Sequence, residues 1–257
     1  MIKAAFFDVD GTLLSHTTKS VPKSARDSLD KLRSKGIKTY LCTGRHQLEF
    51  DFLPITDIPF DGYITLNGHL CLDENKQVLC GFPFPEETTR ALITVFKEHQ
   101  LPLLLVEESG MTLNFVNDTV IRAQKAISSP IPNIAPYDGS PIYLATAYVT
   151  PEEDDRIRAI IPSNCHIARW NDRGIDLILN GVGKVAGIRY IIEKEGILPE
   201  ECIAFGDAEN DIDMIEFCGI GVAMVNAQEK VKAVADYVTT DIEQEGVKNA
   251  LQYYGII

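Results

Sequence analysis

Two aspartates, Asp8 and Asp10, follow the apolar run Ile2–Phe7, and Gly11-Thr12 comes directly after them. A short run that is apolar apart from Lys3 reads as a strand buried on both faces. Side chains at such a strand's end can turn together into the crevice where open parallel sheets bind ligands. Two carboxylates that close repel each other unless a cation lies between them. Oxygen-only ligands suit Mg²⁺, which takes one or two carboxylates with phosphate oxygens and water. Gly11 lets backbone N–H groups approach an anion. Taken alone, the segment reads as readily as a turn with two solvated aspartates.

Three further clusters share this character. Thr43-Gly44-Arg45 follows the apolar run Ile37–Cys42, and a hydroxyl with an exposed N–H there can hold phosphate oxygens. Taken alone, the segment reads better as a strand stop with a helix N-cap. Lys184 opens a helix after Gly181-Val182-Gly183 and can neutralise a phosphate and the nucleophile beside it. A surface lysine is the commoner fate, and its charge opposes the dipole there, so little cost to stability is expected on removing it. In Gly206-Asp207-Ala208-Glu209-Asn210-Asp211, both Asp207 and Asp211 can face a metal, with the Asn210 amide offered to phosphate. An acidic first helical turn is the ordinary alternative. All four clusters fall at predicted strand ends or one helix start on the same sheet edge, and that coincidence favours a site.

The elements that must position these groups alternate. Strands are predicted at Ile2–Phe7, Ile37–Cys42 and Tyr63–Leu66, with a helix at Ser24–Lys35 closed by Gly36. From Phe82 the rhythm changes to helices Glu86–His99, Thr119–Ser128 and Pro151–Ile161, hairpins Leu103–Glu107 with Met111–Val116 and His166–Trp170 with Ile175–Leu179, and a strand Tyr143–Val149. After Lys184 the alternation returns: helix Ala186–Glu195, strand Cys202–Phe205, helix Ile212–Phe217, strand Gly219–Val222, helix Glu229–Ala235 and strand Tyr237–Val238. The expected fold is α/β, a Rossmann-like doubly wound parallel sheet over 1–81 and 183–257, with an inserted α+β module at 82–182.

Composition narrows the function classes. The 257 residues are 45% hydrophobic and 24% charged, ordinary globular usage. A net charge of −13 repels phosphate backbones, so no nucleic-acid partner is expected. No apolar run is long enough to cross a bilayer, so no membrane partner is expected. The opening MIKAAFFDVD does not read as a signal peptide, and a cytoplasmic location is expected. Cys42, Cys71, Cys80, Cys165, Cys202 and Cys218 form no C-x-x-C and are expected as reduced, mostly buried thiols.

The sequence resembles the haloacid dehalogenase-like (HAD) superfamily, in particular its Cof-type sugar-phosphatase-like members. Asp8-Val9-Asp10-Gly11-Thr12 matches the first motif of that family, Thr43 the second, Lys184 the third and Gly206-Asp207-x-x-Asn210-Asp211 the fourth. Tyr63–Gly68 and the ending Gly246–Ile257 are similar to Cof-type segments. The module between the second and third motifs resembles a C2B-type cap that sets specificity, with Glu107, Arg169, Trp170 and Asp172 as candidate contacts outside the core site. Val185 and Ala208 depart from residues frequent in the family at those positions.

The resemblance implies a Mg²⁺-dependent phosphatase acting on a small phosphorylated metabolite, a sugar phosphate. Asp8 is implied as the nucleophile that becomes an acylphosphate, and Asp10 as general acid and base. Asp8, the Asp10 carbonyl and Asp207 are implied as metal ligands with Asp211 supporting, and Gly11, Thr43, Gly44, Lys184 and Asn210 as phosphate-binding residues. A phosphomutase of the same superfamily and a non-catalytic sugar-phosphate sensor are the alternatives. The chain is expected as a monomer or weak dimer.

Overall fold

The structure is a computed structural model that describes residues 1–127 and 129–257. Strand β1 (Ala4–Phe7) is followed by helix α1 (Lys23–Ser34), strands β2 (Lys38–Cys42) and β3 (Gly62–Thr65), and the pair β4 (Leu70–Asp73) and β5 (Val78–Gly81). Next come α2 (Glu86–Lys97), β6 (Leu103–Glu107), β7 (Met111–Leu113), α3 (Asp118–Ala126), β8 (Asn133–Ile134), β9 (Ile142–Ala147), α4 (Asp154–Ile160), β10 (Cys165–Asn171) and β11 (Gly174–Leu179). The chain closes with α5 (Lys184–Glu195), β12 (Cys202–Gly206), α6 (Ile212–Phe217), β13 (Ile220–Ala223), α7 (Glu229–Lys232), β14 (Tyr237–Val238) and α8 (Gly246–Tyr253). It divides into two compact units, Met1–Gly81 with Gly183–Ile257, and Phe82–Val182.

The core unit is built on one eight-stranded sheet ordered β14-β13-β12-β1-β2-β3-β4-β5. Strands β14 through β3 run parallel, while β4 and β5 add antiparallel to β3. The alternation of strand side chains is plain in β1: Ala5 and Phe7 pack toward α1 and α8, Ala4 and Phe6 toward α5 and α6. From β1 the chain proceeds to β2 on one side and later returns to β12 on the other. The carboxyl ends of β1 and β12 therefore flank the point where strand order reverses, the place where doubly wound sheets bind ligands.

The unit Phe82–Val182 has a separate sheet ordered β10-β11-β9-β6-β7-β8, with a core that gathers α2 and α4 against one face of the central strands. Expected Met111–Val116 ends instead at Leu113, because Asn114 turns inward. Its Oδ1 accepts from the backbone N–H of Leu103 and Phe115, and its Nδ2 donates to the carbonyls of Phe96 and Leu101. Of the expected helix Thr119–Ser128, Asp118–Ala126 is helical and Ser128 lies outside the described residues. Expected Glu229–Ala235 shortens to Glu229–Lys232, as the Asp236 N–H bonds the Gly221 carbonyl and leads into β14.

Candidate active site

Asp8 leaves β1 with its N–H donated to the Phe205 carbonyl of β12, so the sheet itself sets where its side chain starts. The residue is 6% exposed. Lys184 meets it there: Nζ donates to Asp8 Oδ1 at 2.6 Å, to Asp211 Oδ1 at 2.5 Å and to the Cys42 carbonyl at 2.9 Å. The lysine is fully buried, which corrects the expectation of a residue dispensable for stability. Burial works against its charge, but Asp211 and Asp8 outweigh that and hold its pKa above the ordinary lysine value.

The helix begins at Lys184, as expected of a lysine that opens it, and its cap is remote in sequence. Gly183 is the N-cap and brings no side-chain hydrogen bond of its own. The cap comes from Asp213 of α6, whose Oδ2 accepts from the Val185 N–H at 3.1 Å. Val185 thus serves through its backbone. So does Ala208, whose N–H, with that of Asp207, donates to Asp211 Oδ2. Asp211 has both oxygens engaged and no solvent exposure, which makes it a brace for the Asp207 loop and for Lys184.

Carboxylate oxygens of Asp8, Asp207 and Asp211 lie within 4.8 Å of one another, a set able to hold a metal ion. All donors are hard oxygens, the chemistry of Mg²⁺ or Ca²⁺ rather than of a thiolate-seeking metal. Without a cation the cluster is electrostatically unsettled. Burial, then the charge of Asp211, pushes the Asp8 carboxyl well above its usual range. The same two causes push Asp207 up to about 7. Asp207 is steered by Thr12 Oγ1, which donates to its Oδ1 at 3.1 Å, and by Asn226 Nδ2, which donates to its Oδ2 at 3.2 Å and to the Gly11 carbonyl at 3.1 Å.

Gly11 has φ +90°, and a Cβ there would collide with the Asp207 carboxylate. Its own N–H is donated to the Leu14 carbonyl. The geometry lets the β1 loop meet Asp207 at Gly11, with the Gly11 N–H itself spent on Leu14. Asp10 lies outside the metal-competent trio of side chains. Its carboxylate takes two bonds from Arg45, Nε to Oδ2 at 2.7 Å and Nη2 to Oδ1 at 2.9 Å.

Thr43 is buried, and its Oγ1 accepts from the Arg45 N–H at 3.1 Å, which leaves the hydroxyl proton to donate. Asn210 Nδ2 donates to Asn67 Oδ1 at 2.8 Å. Asn67 is the knot of this side of the site. It sits at φ +53°, donates its N–H to the Thr43 carbonyl and lies against Gly44. Gly68 follows at φ +95°, where a Cβ would strike the Gly183 carbonyl just before Lys184. The structure thus brings together Asp8, Asp207, Asp211 and Lys184, with Thr43, Gly44 and Asn210 linked through Asn67. Thr12, Arg45, Asn67, Asp213 and Asn226 are additions. Thr12, Asn67-Gly68 and Arg45 carry a local signal, each sitting in a polar segment after a strand; Asp213 and Asn226 do not.

In the other unit, Arg169 pairs with Asp154 and donates to the carbonyls of Val149 and Asn171, while the Trp170 ring covers Gly174. These contacts serve the unit's own fold.

Strand order, the reversal at β1 and β12, and an oxygen-rich cluster with a buried lysine define a Rossmann-like enzyme built for a metal and an anion. The pattern of the haloacid dehalogenase-like hydrolases matches residues 5–251, and the chain belongs to that family. It superposes on the phosphatase BT1666 from Bacteroides thetaiotaomicron with a TM-score of 0.90 and 31% identity, covering 100% of this chain and 96% of that one. With the subclass IIB sugar phosphatase BT4131 the TM-score is 0.85 and the identity 34%, over 99% and 100% of the two chains. It is also 29% identical to YkrA of Bacillus subtilis over 259 residues, 99% of this chain and 98% of that protein. Within its family it is a Cof-type member and a phosphoric monoester hydrolase. Among the described residues, no helix is long and apolar enough to cross a membrane.

Proposed function

We propose that this enzyme hydrolyses a small phosphorylated metabolite, a sugar phosphate, through a phosphoaspartyl intermediate on Asp8. The observation that carries the reading is Lys184, fully buried and bonded to both Asp8 and Asp211 at the carboxyl end of β1. A buried lysine shared by two carboxylates is a costly way to build a core and a useful way to meet an anion. The likeness to a sugar phosphatase over 99% of the chain supports the substrate class.

Asp8 attacks phosphorus in line, and the leaving oxygen departs as the acylphosphate forms. Lys184 fixes one Asp8 oxygen and so sets the direction of the carboxylate. Lys184, the Thr43 hydroxyl, the Gly44 backbone and the Asn210 amide face the phosphoryl oxygens. Asp10 gives a proton to the leaving group and then takes one from the water that hydrolyses the acylphosphate. To do so it exchanges a bond from Arg45 for one to the leaving oxygen. Asp8, Asp207 and the Asp10 carbonyl, with Asp211 bracing the set, would hold Mg²⁺, which when bound would supply positive charge against the transferring group and keep the carboxylates ionised. The unit Phe82–Val182 selects the organic part of the substrate.

Phosphate release from a panel of hexose, pentose, polyol and nucleotide monophosphates, with Mg²⁺ and with chelator, tests the reading. Mg²⁺-dependent turnover that favours sugar phosphates is expected. Turnover indifferent to metal, or none without an added sugar bisphosphate, would contradict it.

A further inference from the structure

Outside the active site, the chain places two thiols face to face. Cys71 of β4 and Cys80 of β5 are direct cross-strand partners in an antiparallel pair, so their side chains leave the sheet on the same side. Both are free thiols, Cys71 fully buried and Cys80 half-buried. We propose that Cys71 and Cys80 form a redox-modification site, closed to a disulfide by a low-molecular-weight disulfide such as that of glutathione.

The surroundings give each thiol a different part. Cys71 is walled in by α5, which approaches so closely that a Cβ on Gly187 would lie 2.9 Å from Cys71 Sγ. An oxidant therefore enters at Cys80, on the edge strand of the sheet. A hydrogen bond from Cys71 holds the Cys80 thiol below its ordinary pKa, while the same bond and burial hold Cys71 above its own. That division suits an attacking and a resolving cysteine. The Cys80 thiolate attacks one sulfur of the oxidant and expels the other as a thiol, which carries off the Cys80 proton. Cys71 Sγ then attacks Cys80 Sγ in the mixed disulfide and expels the second thiol, which takes the Cys71 proton. Two protein thiols lose two electrons, and one small disulfide becomes two thiols.

Directly cross-strand cysteines in antiparallel sheets fall near the short end of disulfide geometry, where bonds are reducible and reversible. The bond would staple β5, whose last residue Gly81 is also the last of the core's first segment, onto β4. Cys202 and Cys218 provide an internal control. They are also hydrogen-bonded neighbours, but both are buried, so no oxidant reaches them.

The test treats the native reduced enzyme with glutathione disulfide, quenches in acid, alkylates the remaining thiols and maps peptides by mass spectrometry. A Cys71–Cys80 linked peptide is expected, removing two of the six thiols, with Cys202 and Cys218 alkylated and full reversal by a dithiol reductant. Cys71→Ser should stop at a glutathione adduct on Cys80, and Cys80→Ser should leave Cys71 unmodified. A persistent Cys80 adduct in the native enzyme with Cys71 still alkylated would overturn the proposal. So would linkage of Cys202 to Cys218 at the same rate.

Discussion

In the core unit, Lys184 and Asp211 have no solvent exposure and Asp8 almost none; Asp8 and Asp211 share one ammonium, and a third carboxylate, Asp207, lies beside them. In the unit Phe82–Val182, Arg169 meets a single carboxylate, Asp154, with the two side chains 23% and 29% exposed, and its Nη1 donates to the carbonyls of Val149 and Asn171, while its buried Nε meets no hydrogen-bond partner among the described residues. In the second arrangement the charges balance one to one. In the first, burial and mutual repulsion raise Asp8 and Asp207 even with the lysine in place. Charge left unsettled in a buried cluster marks the place where a further charged group belongs, and there the cost in folding is offset by chemistry.

The comparison breaks most sharply at Lys184. Lys184→Ala should lower kcat/KM by roughly a hundredfold or more, through lost charge opposite the phosphoryl group. It should also destabilise the fold by about 3 kcal/mol, because Asp8 and Asp211 lose a buried partner. Kinetics and thermal unfolding on the same preparation read both. Unchanged stability would return Lys184 to the class of surface lysines.

Asn226→Ala sharpens the account of Asp207. The side chain bonds Gly11 and Asp207, so its loss should weaken Mg²⁺ binding about tenfold while leaving saturated turnover nearly intact. Titration calorimetry of Mg²⁺ provides a readout independent of activity. An unchanged affinity with impaired turnover would assign Asn226 to the substrate instead.

The metal-free cluster has a pH signature. Asp207 titrates near 7 when folded against 3.8 for a free carboxyl, so the folded chain keeps a proton that the unfolded chain has lost. Its contribution to stability is full below about pH 4 and is lost as pH rises through 7. Metal-free enzyme should therefore lose stability between pH 5 and pH 8, and added Mg²⁺ should raise Tm by several degrees more at pH 8 than at pH 5. An equal shift at both values would place the metal away from Asp207. The smallest effect belongs to the charge-balanced pair: Arg169→Ala should cost about 1 kcal/mol of stability and leave turnover of a small aryl phosphate unchanged.

Strand ends were the legible part of this site. Buried apolar runs that stop at Asp8, Thr43 and Asp207 announce parallel strands with polar residues at one edge, and the sheet delivers them there. The hairpin Leu70–Asp73 and Val78–Gly81 lies outside the expected elements, although the polar run 74–77 between two apolar stretches is a turn signal. Helix Gly246–Tyr253 was not assigned either; its N-cap Glu245 is in the left-handed region and makes no side-chain cap bond, so no start signal marks it. What the sequence could not carry was long-range. Asp213 caps a helix 28 residues away in the chain, and Asn226 steers a carboxylate 19 residues before it. Lys184 looks like a surface residue until β1, β2 and α6 close around it.

The central claim is that Asp8 forms the covalent bond to phosphorus, and the kcat of Asp8→Asn on the best sugar phosphate measures it directly. The amide can still accept from Lys184, so the variant should fold, yet it cannot form an acylphosphate. The account predicts a loss of roughly a thousandfold or more with Tm preserved. Activity within about tenfold of the native enzyme, some 1.4 kcal/mol of barrier, would contradict it.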